Sequence, residues 1–267
     1  MTEQIHHFKD ITLLITHYNR SKSLEKLLSA FKKLNCRFAE IIVSDDGSQP
    51  AQLSAVEDLK VQYQFDLVTT PVNKGLGNNI NKGQDQVKSR YTLYIQEDFT
   101  PKDSFPGHLA AAGEMMDQDD GLDLISFYAY ERYPYSKPYR AGFSERTFKL
   151  APWYTNNLKF YLYSDHPHLR RTTFFSKFGR YREGINGDKT EMDMSLSFIR
   201  HKGRSLVFDQ HYDLLTQENS EEEPSTANFR KTIENNGSLP VVFAKWVYAR
   251  FKFVKLNLQL LLKNNKK

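Results

Sequence analysis

Cysteine is almost missing from this chain. Cys36 is the single one in 267 residues, which excludes an internal disulfide framework and any multi-cysteine zinc site. A reducing compartment is the simplest reading. Long apolar runs are missing too: no segment offers about 18 uninterrupted apolar residues, so a spanning helix is not expected. The opening MTEQIHHFKD has no apolar stretch of signal-peptide length, and a cytoplasmic location is the expectation. Acid is absent from Lys245 to Lys267, a stretch with seven basic residues. Removing those charges from the net +5 leaves a mildly acidic body, so the pI of 9.0 describes that one segment and gives no support for nucleic-acid binding. No internal repeat is present. A 39% hydrophobic share and 13% aromatics suit a globular chain with a sizeable core.

Short β-branched runs alternate with helical periodicity through the first hundred residues. ITLLIT (11–16) has the composition of a strand buried on both faces. After Arg20 the period changes: Leu24, Leu27, Leu28, Phe31 and Leu34 recur at helical spacing, with Ser21 or Ser23 as the expected N-cap. EIIVS (40–44) is a second strand ending in the turn Asp45-Asp46-Gly47-Ser48. A helix over 51–63, a strand over 65–69 and a strand over 91–95 follow, the last running into Gln96-Glu97-Asp98. Such alternation predicts a largely parallel sheet flanked by helices, with ligands beyond the carboxyl ends of the strands. Four polar clusters fall at those ends, at 16–20, 45–48, 73–83 and 97–98.

The residue types in these clusters suit a nucleotide diphosphate. Thr16 and Tyr18 offer hydroxyls and a ring edge to a base, and Asp46 offers acceptor oxygens to ribose hydroxyls or a base N–H. Asp45 is expected to shape its turn. The glycines of NKGLGNNINKG allow close backbone approach at a helix start, where N–H groups favour phosphate. Glu97-Asp98, ending a buried strand, places hard oxygens where Mg²⁺ or Mn²⁺ could meet a diphosphate, with Asp98 the first choice of ligand.

Taken in order, ITLLITHYNR, EIIVSDDGS, NKGLGNNINKG and YTLYIQEDFTP resemble the inverting family 2 of GT-A glycosyltransferases, well over 9–103 and more faintly to about 212. The resemblance implies a GT-A fold, a Rossmann-like α/β architecture with a mixed, mostly parallel sheet, and a nucleotide-sugar donor, UDP-sugar first. It places Thr16, Tyr18, Asn19, Arg20 and Asp46 at the nucleoside, and Asn73, Gly75 and Glu97 along the rest of the donor. Asp98 is the implied metal ligand, joined by His211, which falls where related enzymes can place a histidine near diphosphate and metal. Three positions depart from the family pattern: Ile80 stands in place of an arginine, Gln96 in place of the first metal-motif aspartate, and Met192 where the usual base would be. Lys74 or Arg20 are the cations available to replace the lost arginine.

An inverting transfer needs a carboxylate to take the acceptor's proton. The stretch TEMDM (190–194), read as a helix start ending before Gly203, offers Glu191 and Asp193; a first-turn position, where the helix dipole stabilises an anion, favours Glu191. Ser164-Asp165-His166-Pro167-His168 is a second polar cluster, with Asp165 as a reserve base. Trp153, Tyr154, Tyr161 and Tyr163 can stack on sugar faces or belong to the core. The segment 217–227 reads as a charged, mobile loop. Beyond it, Phe243, Val247, Phe251, Val254, Leu258 and Leu261 form one apolar face of a helix, with Lys245, Lys252, Gln259 and Lys263 opposite. Such a helix can lie on an anionic membrane or pack on the domain. The expected organisation is one transferase domain over 1–236, with a donor half to about 103 and an acceptor half beyond, then the basic helix over 237–267. The partners are a nucleotide sugar and a glycan or lipid-linked acceptor. Two other readings stay open: a nucleotidyltransferase, against which HYNRSKS lacks glycines, and a catalytically impaired nucleotide-sugar-binding or membrane-tethered scaffold.

Overall fold

The computed structural model describes residues 5–151, 153–218 and 239–263. The expected boundary at 236/237 and most of the charged loop 217–227 lie outside them. The donor half alternates as the sequence predicts: β1 (His6–His17), α1 (Ser21–Lys33), β2 (Cys36–Asp45), α2 (Pro50–Tyr63), β3 (Asp66–Val68), α3 (Leu76–Gln84) and β4 (Tyr91–Gln96). These strands are parallel in the order β3-β2-β1-β4. Side-chain alternation explains the unbroken apolar runs. Leu13, Ile15, Val43, Leu93 and Ile95 point into a core shared with α1, α2 and the helix α4 (Phe105–Gln118), whereas Leu14, Ile42 and Tyr94 point into a second core behind α3.

The acceptor half adds β5 (Phe99–Pro101), β6 (Leu124–Ser126), β7 (Ser136–Arg140), β8 (Phe143–Arg146), a 3-10 turn (Asn157–Phe160), β9 (His168–Arg171), α5 (Phe174–Phe178), α6 (Gly187–Arg200), β10 (Ser205–Phe208) and β11 (Leu215–Gln217). β9 lies antiparallel between β4 and β6, joining the halves into one nine-stranded mixed sheet. β11 pairs with β5 in a two-stranded ribbon beside the end of β4. The last helix, α7 (Leu239–Lys263), seats Leu256 and Leu260 against Phe160 and Leu196.

Two helix starts differ from expectation. α1 is capped by neither serine: Ser21 is its first residue, and the Ser21 N–H donates to Gln52 of α2 at 2.9 Å instead. α6 starts at Gly187, with the Asn186 side chain accepting from the Asp188 N–H, so Glu191 falls in the second turn and not the first. Of the four aromatics weighed for sugar stacking, Tyr163 is core, whereas Trp153 is 76% exposed.

Candidate active site

The loop after β1 is held by a buried network centred on His17, a residue the sequence reading passed over. His17 Nε2 accepts from the Arg20 N–H at 3.1 Å, so the ring proton must sit on Nδ1, which donates to Asp45 at 2.8 Å. Asp45 also accepts from the Ser48 N–H and the Thr69 hydroxyl. Burial would raise the Asp45 pKa, but the bonds from His17 and Ser48 outweigh it and hold it below the usual carboxylate range. Asp45 therefore shapes the turn, as expected. The network fixes Tyr18, Asn19 and Arg20 at the carboxyl edge of the sheet. Asn19 adopts φ +54°, its N–H donating to Ser48 Oγ and its side chain accepting from the Gln49 N–H. Thr16 is buried and shares a hydrogen bond with the Tyr94 hydroxyl at 3.1 Å.

Asp46 reaches the glycine-rich segment. Its two oxygens accept from the Lys74 and Gly75 N–H groups at 2.9 and 2.8 Å, while the exposed Asn73 side chain accepts a second bond from Gly75 N–H at 3.1 Å. Gly75 has φ +86° and precedes α3. Burial raises the Asp46 pKa, and the Lys82 ammonium, which donates to the Asp45 carbonyl, lies close enough to oppose that shift. Lys82 is thus a cation beside Asp45 and Asp46 that the sequence reading did not single out. Ile80, where the family pattern has arginine, is fully buried behind the sheet. Arg20 lies instead beside the acidic pair: its Nη1 is 3.7 Å from Glu97 and 3.4 Å from Asp98.

The end of β4 concentrates the charge. Glu97 and Asp98 are both buried. Burial first, then the neighbouring Asp98, raise the Glu97 pKa to about 7. One oxygen of Asp98 accepts from Gln217 on β11 at 2.9 Å, and Gln217 in turn accepts from the Tyr130 hydroxyl at 2.6 Å. The other Asp98 oxygen is buried without a protein partner. A buried, unpaired carboxylate oxygen fits a divalent cation. Among the described residues no three His, Cys, Asp or Glu side chains gather to form a complete protein cage, so a cation at Asp98 would need phosphate oxygens and water to finish its shell, as magnesium commonly does. His211 lies on the loop between β10 and β11. Both its ring nitrogens are buried, and burial lowers its pKa against the opposing effect of the Phe208 backbone, with Arg132 and Arg146 adding to the lowering.

Gln96 links this edge to the acceptor half. Its amide reaches the Asp165 carbonyl at 3.4 Å and carboxylate at 3.5 Å. The Asp165 N–H donates to Glu191 at 3.3 Å. Burial, then the Asp165 charge, raise the Glu191 pKa well above the usual range. The first-turn argument for an anionic Glu191 is therefore replaced by its opposite: this carboxyl resists ionisation. Asp193, two residues on and so on roughly the opposite side of α6, is on the surface, paired with Arg182 at 3.4 Å and 46% exposed. Tyr130, whose ring meets His166 edge-on at 4.5 Å, feels Asp98, Asp165 and Glu191 together. Thus Asp98, Asp165 and Glu191 each act on Tyr130, with Gln96 reaching Asp165 and Gln217 reaching Asp98, while Glu97 lies beside Asp98 and Arg20, and Asp193 is not among them. His166 packs edge-on against Tyr128, and burial, then Arg146, lower its pKa to about 4; His168 sits within β9.

A parallel sheet carrying acidic and glycine-rich loops at its carboxyl edge, extended by mixed strands from the second half, is the GT-A architecture. The family model for glycosyl transferase family 2 matches residues 12–179, and the chain belongs to that family. The poly-beta-1,6-N-acetyl-D-glucosamine synthase of Staphylococcus epidermidis is 29% identical over 99 residues, 37% of this chain and 24% of that protein. The cholesterol galactosyltransferase of Borreliella burgdorferi is 26% identical over 98 residues, 37% of this chain and 27% of that one. The matched stretch spans about a quarter of either relative. The crystal structure of S. aureus TarS 1-349 in complex with UDP-GlcNAc superposes on 93% of this chain and 72% of that chain, with TM-score 0.59 and 16% identity, a likeness of fold.

Proposed function

We propose that this chain transfers one sugar from a nucleotide-diphosphate donor, a UDP-sugar, to a glycan or lipid-linked acceptor with inversion, in the synthesis of a surface polysaccharide. The observation that carries the reading is the unpaired buried oxygen of Asp98, whose other oxygen lies 3.4 Å from Arg20, on a carboxylate that shares the neighbourhood of Tyr130 with Asp165 and Glu191. The names of the relatives favour an N-acetylhexosamine or hexose as the sugar.

In this reading Thr16, Tyr18 and Asn19 hold the nucleoside on the loop braced by His17. Asp46 holds the Lys74–Gly75 backbone so that the start of α3 faces the phosphates. Asp98, with Glu97 beside it, would hold Mg²⁺ or Mn²⁺, which neutralises charge on the departing diphosphate. Arg20 adds a fixed cation on the same side. Glu191 accepts the proton of the attacking hydroxyl. Burial and Asp165 raise its pKa, which strengthens it as a base once ionised, and Lys252 nearby favours the ionised form.

A catalytically impaired nucleotide-sugar-binding scaffold is the second reading. Met192, standing where the family base would be, packs towards Phe160 and Leu196 and can take no proton. A thermal-shift screen of nucleotide sugars identifies the donor: UDP-sugars should raise Tm with Mn²⁺ present, and no shift with any nucleotide sugar would overturn both readings.

A further inference from the structure

Helix α7 carries two apolar faces. At 100° per residue, Phe253, Leu256 and Leu260 fall on one side; this side packs towards Phe160, Leu196 and Ile199. Lys252 follows the same docking, donating to the Tyr161 hydroxyl at 3.0 Å. Val247, Phe251, Val254, Leu258, Leu261 and Leu262 fall on the opposite side, and all six are exposed, Phe251 by 64% and Leu262 by 65%. They form a stripe of about 22 Å at 1.5 Å per residue. This is the apolar face expected from the sequence, within the residues whose side chains are described. Docking on the domain has left it uncovered and has used a different face.

Large exposed apolar patches rimmed by charge mark interaction surfaces. Here Arg250 borders the stripe on one side and Lys255 on the other, both exposed, and 239–263 contains no Asp or Glu. A second copy of this chain would bring like-charged rims together across a self-complementary contact. A surface with anionic headgroups over an apolar interior complements both features at once.

We infer that α7 is a membrane-surface helix, lying flat on an anionic bilayer through the Val247–Leu262 stripe with Arg250 and Lys255 at the headgroups. The proposal is independent of the transferase reading. It has a consequence for it, because the opposite face of α7 backs onto α6. Lys252 is close enough to Glu191 to oppose its raised pKa, so docking would set the acidic cluster one helix away from the lipid surface.

Co-sedimentation of the full chain with phosphatidylcholine vesicles, with and without phosphatidylglycerol, tests this. The wild type should pellet with the anionic vesicles, stay in solution with the neutral ones, and be released as salt rises. Phe251→Ser/Leu258→Ser and Arg250→Glu/Lys255→Glu should each weaken vesicle binding by at least about tenfold, with Tm and UDP binding unchanged because these side chains face solvent. Wild type remaining in solution with anionic vesicles at low salt would overturn the inference. So would undiminished vesicle binding by both variants. A wild-type dimer that Phe251→Ser/Leu258→Ser converts to monomer, with no vesicle binding by either, would assign the stripe to a second copy. Failure of any of these leaves donor binding to be judged by its own assay.

Discussion

Replacing Glu97 by glutamine should stabilise the protein, and the gain should grow with pH. Glu97 lies buried at the end of β4, and burial together with Asp98 raises its pKa from 4.5 to about 7. A carboxyl with a higher pKa folded than unfolded binds more protons in the native state between those two values, so stability falls as pH rises through the window. At about 1.36 kcal/mol per pKa unit, the cost reaches about 3 kcal/mol by roughly pH 8 and vanishes near pH 4. Glutamine keeps the shape and removes the ionisation. Urea unfolding of both proteins, repeated across that pH range, should therefore give nearly equal stabilities in acid and a gap of about 3 kcal/mol in weak alkali. A gap that does not change with pH, or a variant less stable than wild type at about pH 8, would refute the reasoning. The gain in stability should come with weaker donor turnover, as expected where a charged site is held at a cost to the fold.

Four other substitutions probe the remaining parts of the molecule. Glu191→Gln should lower transfer by at least about a hundredfold with donor affinity retained, whereas Asp193→Asn, on the surface beside Arg182, should change the rate less than about threefold; steady-state kinetics separates them. Asp46→Ala removes the acceptors of two backbone bonds to Lys74 and Gly75 and should weaken UDP binding by about tenfold or more, read by calorimetry. Gly77→Ala places a methyl against the Arg182 carbonyl, a backbone atom that cannot yield freely; the expected loss is about 1–3 kcal/mol in urea unfolding.

The donor half was legible because its strands are buried on both faces. ITLLIT, EIIVS and YTLYI stand out as apolar runs, and the polar clusters that end them meet in space, as Asp46 shows by reaching Lys74 and Gly75. The acceptor half was less so. β6, β9 and β11 are three or four residues long, too short for a period of two to show against an aromatic background. β9 enters antiparallel, which the alternation of strand and helix gives no reason to expect. The Asp165–Glu191 contact joins residues 26 apart in sequence, and its effect on ionisation depends on burial that no local pattern reports. Glu191 shows the consequence: the helix-dipole argument assumed the helix began near Thr190, yet Asn186 caps it a turn earlier. For α7 the outward apolar face could be read from spacing. The inward one, built on Leu256 and Leu260, required the partner surface to be seen.

If the carboxylates at the end of β4 serve a nucleotide-sugar reaction, that reaction should depend on Asp98. Release of UDP from a UDP-sugar, followed in the presence of Mn²⁺ for wild type and Asp98→Ala, tests it most directly. Wild type should turn over measurably, and the variant should fall by at least about a hundredfold with the fold intact. Equal turnover by the two proteins would contradict it, and UDP-sugar binding without turnover by either would identify a binding scaffold in place of an enzyme.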